Sequence, residues 1–108
     1  MRVPNDFDFT TRRVEQDEEL EAVAWAENNG WEVRKTKYIG RVGCPDRFFF
    51  GHGYIVPAEF KKPDQRNRKN GGKSIGQVKE HERLLAVGVE VKVFYTQQEC
   101  VAYLKSLM

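Results

Sequence analysis

Long apolar runs are the first thing this sequence lacks. None approaches the ~18 residues needed to cross a bilayer, and Met1 to Thr10 alternates polar and aromatic residues with no secretory apolar core. No membrane partner is expected. Cysteine is scarce too. Cys44 and Cys100 form neither a metal-spaced pair nor a disulfide framework, so a reducing cytoplasm is expected. Charge of one sign is also missing: 18 Lys+Arg against 16 Asp+Glu leave +2. That excludes a polycation acting through total charge, so any affinity for polyanions must come from local clustering. What is present, 40% apolar and 31% charged residues in a chain of 108, is enough for one packed domain over 1–108 and excludes full-length disorder.

The pattern along the chain reads as helix, strands, basic loop, helix, strand and helix, after an N-terminal extension at 1–11. Residues 12–28 form the first helix, with Leu20, Val23, Ala24 and Ala26 as its apolar side and Asn28-Asn29-Gly30 as its stop. Trp31 to Lys37 reads as a strand. Arg47 to Phe50, then Gly51-His52-Gly53, then Tyr54 to Phe60 reads as a hairpin with His52 exposed in its turn. Pro57 cannot donate to a ladder, so its strand must be an edge or bulged there.

Residues 63–73 read as a flexible basic loop, with Arg66, Arg68, Lys69 and Lys73 against Asp64 and with Asn70-Gly71-Gly72 opposing helix formation. Ser74-x-x-Gln77 is a capping box that opens a helix running to Val87, and Gly88 stops it. Val89 to Tyr95 alternates as a half-buried strand. Thr96-x-x-Glu99 is a second capping box and starts the last helix. There is no internal repeat. This order predicts an α/β domain, a mixed sheet with helices on its faces and the last strand parallel to an earlier one.

The chemistry concentrates in Asp46 and, thirteen positions later, Glu59-Phe60-Lys61. On an extended strand Glu59 and Lys61 project from the same face, about 6.5–7 Å apart. Asp46 begins the preceding strand of the hairpin, so two carboxylates and an ammonium converge at one end of a sheet. Hard oxygen ligands in that setting suit Mg²⁺, which takes one or two carboxylates and keeps waters and substrate phosphate oxygens. A lysine beside it can position an attacking water and offset charge on an anionic transition state.

These residues resemble a known family. Asp followed by Glu-x-Lys is the signature of the PD-(D/E)XK nuclease superfamily, and the surroundings are similar to its VRR-NUC branch. Gly43-Cys-Pro-Asp-Arg47 resembles that family's Gly-x-Pro-Asp-Arg, and Glu59-Phe-Lys-Lys-Pro63 its Glu-Leu-Lys-Arg-Pro. Ser74-Ile-Gly-Gln77 falls where the family opens a helix with glutamine, and Ala86-Val-Gly-Val-Glu-Val resembles the helix end and last strand. The similarity covers roughly residues 12–105.

It implies a restriction-endonuclease-like αβββαβ core. Asp46, Glu59 and the backbone carbonyl of Phe60 would be metal ligands, Lys61 the catalytic lysine, and Gln77 a helper from its helix. An acidic residue of the first helix completes such sites. Glu15, Glu18, Glu19 and Glu21 are all available, and Glu19, eleven positions before Gly30, fits best. The implied activity is a Mg²⁺-dependent endonuclease, with Mn²⁺ as substitute. Its DNA would be branched or flapped, such as a Holliday junction, and it would act as a homodimer in a bacterial cytoplasm, phage-encoded members included. Arg66, Arg68, Lys69, Lys73, Arg47 and Lys62 would contact the DNA backbone, with Arg12, Arg13, Arg34, Lys35, Lys37 and Arg41 adding positive charge around them.

Plainer readings stand beside these. Asp46 suits a turn after proline, Glu59 and Lys61 a solvated ion pair, Gln77 its capping box, and the first-helix glutamates a helix N-terminus. His81, one turn after Gln77, reads as a surface histidine. Two rival functions remain: a catalytically silent DNA-binding module with this fold, and a protein-interaction domain that never meets nucleic acid.

Overall fold

A computed structural model of the protein describes residues 15–108. The extension at 1–11 and the basic Arg12 and Arg13 lie outside the described residues, as does the side chain of Glu15. Helix α1 spans Glu15–Glu27, and strands β1, β2 and β3 span Glu32–Lys35, Arg47–Gly51 and Tyr54–Phe60. Helix α2 is Ile75–Ala86, β4 is Lys92–Phe94 and α3 is Gln97–Ser106. The sheet runs β1-β2-β3-β4, antiparallel at its first two junctions and parallel at β3–β4, as the crossover through α2 requires. This is the mixed sheet flanked by three helices expected of an αβββαβ core. Among the described residues no helix is long and apolar enough to cross a membrane.

Strand alternation sorts residues between two faces of the sheet. Val33, Phe49, Val56, Ala58, Phe60 and Phe94 join Ala22, Ala26, Cys100 and Leu104 in one core beneath α1 and α3. Each fully buried Phe in such a core is worth about 1.5–3 kcal/mol relative to exposure. Phe48, Phe50, Pro57 and Glu59 occupy the alternate positions and point to the opposite face. Phe48 and Phe50 contact one another there, so of the triple phenylalanine only Phe49 enters the core.

Several boundaries shift from the sequence expectation, each for a physical reason. The buried stripe of α1 is Glu19, Ala22, Val23 and Ala26, whereas Leu20 is 49% exposed and Ala24 faces solvent. The i, i+3, i+4, i+7 rule thus selects a stripe headed by an acid, which hydropathy alone passes over. β1 ends at Lys35; Thr36 still donates its N–H in register to the Asp46 carbonyl, and its hydroxyl donates to the Pro45 carbonyl, which ties down the start of the turn before β2. β4 starts only at Lys92. Val89 is instead consumed by the end of α2, where Val89 N–H and Gly88 N–H donate to the Leu84 and Leu85 carbonyls in a Schellman arrangement around Gly88 at φ 92°.

Pro57 sits in a central strand without cost. β4 pairs only with Ala58, Glu59 and Phe60, so at Pro57 that side of β3 is still an edge.

Residues 63–73 are not a flexible segment. They fold into 3₁₀ turns at Pro63–Asn67 and Lys69–Gly72, with Asn70 and Gly71 in the left-handed region. Arg66 lies over the Tyr95 ring and pairs with Glu99, and the Tyr95 hydroxyl donates to the Gly71 carbonyl at 2.8 Å.

Helix α2 is joined to the sheet through the loop after β1. The Tyr38 hydroxyl donates to Glu80 at 2.8 Å, and Arg41 and Arg83 pair with the same carboxylate. These partners, the Tyr38 bond first, hold Glu80 below the usual carboxylate range. Gly43, at φ 91°, lets the loop lie directly on α2: a β-carbon there would meet the Gly76 carbonyl oxygen at 2.6 Å and Glu80 Cβ at 2.8 Å. Gly43→Ala is therefore expected to destabilise the protein by about 1–3 kcal/mol. Urea denaturation checks this, and an unchanged midpoint would contradict the close approach.

Candidate active site

The site forms where β2 begins and β3 ends. Arg47 pairs with Ala58, so Asp46, one residue before β2, stands opposite Glu59. Asp46 has left the ladder, however, and its side chain takes over the acceptor role: Phe60 N–H donates to Asp46 Oδ2 at 2.8 Å. The turn-forming Pro45-Asp46 pair thus delivers a carboxylate to the end of β3. The turn reading of Asp46 is compatible with a carboxylate placed beside Glu59. At the same strand end Lys61 N–H donates to the Phe94 carbonyl at 3.0 Å and extends the parallel ladder by one bond.

Glu59 is 1% exposed. Its Oε2 lies 3.8 Å from Lys61 Nζ, and the two side chains share one face as the strand period requires. Gln77 reaches it from α2. The Gln77 amide makes two contacts at once. Its Oε1 accepts from Ser74 N–H at 2.9 Å and completes the capping box, while its Nε2 donates to Glu59 Oε2. The solvated ion-pair reading of Glu59 and Lys61 fails on this burial. The second box is only half formed: Thr96 caps α3 through Glu99 N–H, but the Glu99 carboxylate turns back to Tyr95 N–H.

From the other side α1 brings Glu19, buried and accepting from Arg47 Nε at 2.6 Å. Glu18 points elsewhere and accepts from Gln97 N–H at 2.6 Å, capping the start of α3. Glu19 is thus the first-helix acid whose charge acts on Asp46. Burial first, with the charges of Glu59 and Glu19 assisting, pushes the Asp46 carboxyl up to about 6, against the opposing Phe60 hydrogen bond and Lys61.

The basic residues divide. Arg47 is turned inward on Glu19 with its side chain only 13% exposed, so it braces the site instead of offering a free phosphate contact. Arg66 is engaged by Glu99 and Tyr95. Lys73 Nζ lies 3.4 Å from His81 Nδ1. Arg68, Lys69 and Lys62 remain at the surface, Arg68 in an exposed pair with Asp64. His81, read from sequence as a surface residue, is instead buried and faces Glu59. The signal for it was its i+4 spacing from Gln77.

Among the described residues no three His, Cys, Asp or Glu side chains close around one point as a cation site. The donors present nonetheless fit a hard divalent cation. Glu59 Oε1 is buried with no hydrogen-bond partner among the described residues, and three carboxylates lie near enough to repel one another at Asp46. Mg²⁺ asks for only one or two carboxylates.

An α/β fold with an acid–Glu-x-Lys constellation at the end of its central strand defines a nuclease-type domain. Neither a family model nor a curated protein matches the chain. A solved structure described as a VRR_NUC domain does match, with a TM-score of 0.71 and 29% identity over 84% of this chain and 94% of that one. The chain is thus similar in fold and in sequence to a VRR_NUC domain.

The raised Asp46 has a consequence for stability. Its folded value of about 6 lies above the ordinary 3.8, so the native state binds the proton more tightly and stability falls as pH rises between those limits. In EDTA, Asp46→Asn is expected to raise the urea midpoint near pH 7.5, the gain vanishing below roughly pH 4. A gain independent of pH would contradict the assignment.

Proposed function

We propose that the protein is a Mg²⁺-dependent endonuclease that hydrolyses DNA phosphodiesters, with Mn²⁺ able to substitute. The observation that carries the reading is the meeting of Asp46, Glu59 and Lys61 at one strand end, with Glu59 gripped by Gln77. Asp46, Glu59 and the Phe60 carbonyl would hold the cation, with Glu19 completing the acidic wall. Once bound, the cation would acidify a water and offset charge on the phosphate.

The chain's own groups do the rest. Lys61, its side chain 15% exposed beside Glu59, orients the attacking water and stabilises the anion that develops. Water oxygen bonds to phosphorus, a bridging P–O bond breaks, and the departing oxygen takes a proton. Arg47 holds Glu19 in place. Arg68, Lys69 and Lys62, with Arg66 and Lys73 behind them, present positive charge to the DNA backbone.

Branched or flapped DNA is the proposed substrate, on the resemblance to stand-alone members of the family, and a homodimer the proposed assembly. The exposed aliphatics Ile75, Leu85, Val87 and Val89, along and just beyond α2, support a self-association face.

Labelled four-way-junction, flap and linear duplex DNA tests the reading. Cutting is expected with Mg²⁺ or Mn²⁺, none in EDTA, and a loss of roughly 100-fold to 1,000-fold in Lys61→Ala. Tight, salt-sensitive binding without cutting under either metal would favour the silent DNA-binding module. Absence of binding would favour the interaction domain. Light scattering of the purified chain decides between monomer and dimer.

A further inference from the structure

Gln77 and His81 stand one turn apart on the same face of α2, and both face Glu59. Gln77 holds its Oε2. His81, 9% exposed, places Nε2 3.9 Å from Oε1. Both of those atoms are buried, and among the described residues neither has a hydrogen-bond partner. Buried polar atoms are rarely left so, and here two of them face one another. The other ring nitrogen shows which one donates. Lys73 Nζ lies 3.4 Å from Nδ1, and an ammonium has only protons to offer. Nδ1 therefore accepts, which leaves Nε2 to donate, directed at Glu59.

We propose that His81 is a positioning residue for the cation site: from one helix, its Nε2–H and the Gln77 amide take the two oxygens of Glu59, and Lys73 sets the tautomer that makes this possible. The inference rests on the reading of Glu59 as a cation ligand and adds a residue to it. His81 does not enter the coordination. It fixes the orientation of a carboxylate that does, and outer partners of this kind matter because a ligand free to rotate binds its metal less well. Lys73 closes the basic loop, so that loop is tied through a single imidazole to the carboxylate of the site.

Calorimetric titration of Mn²⁺ into the DNA-free protein tests this, with thermal denaturation in EDTA as the check on folding. His81→Leu is expected to weaken Mn²⁺ binding roughly 10-fold to 100-fold. His81→Gln, whose amide nitrogen reaches the place of Nε2, should recover most of it. His81→Asn, with its amide at the place of Nδ1, should not, and Glu59→Gln should abolish binding. If His81→Leu fails to fold, the Gln and Asn variants carry the comparison, because a packing role would not distinguish them in this order. Equal affinity in His81→Gln and His81→Asn overturns the proposal, as does wild-type affinity in His81→Leu. Loss of binding in Glu59→Gln beside either result leaves the reading of Glu59 standing. Wild-type affinity in Glu59→Gln overturns both.

Discussion

A carboxylate shut away at 1% exposure is costly unless the surroundings satisfy it, and the architecture around Glu59 answers to that constraint. Strand β3 carries Glu59 to the face opposite the aromatic core, where α2 meets it with Gln77 and His81. Lys61 and Gln77 supply positive charge and a hydrogen bond on one oxygen. The other oxygen has no hydrogen-bond partner among the described residues. A structure that buries an acid and leaves half of it open has a site that a cation or a donor completes, and the nuclease-type reading grows from that imbalance.

The same end of the sheet gathers Asp46 and Glu19, so the acids crowd where backbone geometry concentrates them. Asp46 is held by a strand-end N–H, Glu19 by the guanidinium of the very next residue, Arg47. Sequence order makes this economical. A Pro-Asp-Arg run places the Asp46 carboxylate and the Arg47 brace at adjacent positions, pointing to opposite faces. Local turn chemistry and site chemistry are here one arrangement.

Helix α2 depends on distant contacts. The Tyr38–Glu80 hydrogen bond and the bare backbone of Gly43 clamp it to the loop after β1. Because Gln77 and His81 ride on this helix, the loop that carries Asp46 also sets the placement of the groups that face Glu59. The 3₁₀ turns of residues 63–73 are tied to Tyr95, just after β4, and through Lys73 to His81 on α2.

The sequence by itself determined the element order, the parallel final strand, the Asp46–Glu59–Lys61 constellation and the capping glutamine. All of these are written in short-range patterns: turn residues, a period of two, a box spaced by three. It also singled out Glu19, although through the family resemblance and not through hydropathy, which put Leu20 and Ala24 inside. Only the tertiary structure decided that His81 is buried, that Arg47 turns inward, that residues 63–73 are pinned and that β4 is short. Those four depend on partners far along the chain: Glu59 for His81, Glu19 for Arg47, Tyr95 and Glu99 for the loop, and the three residues of β3 available for pairing. Periodicity reports what a residue prefers locally. Burial and pairing are set by what the rest of the chain brings to it.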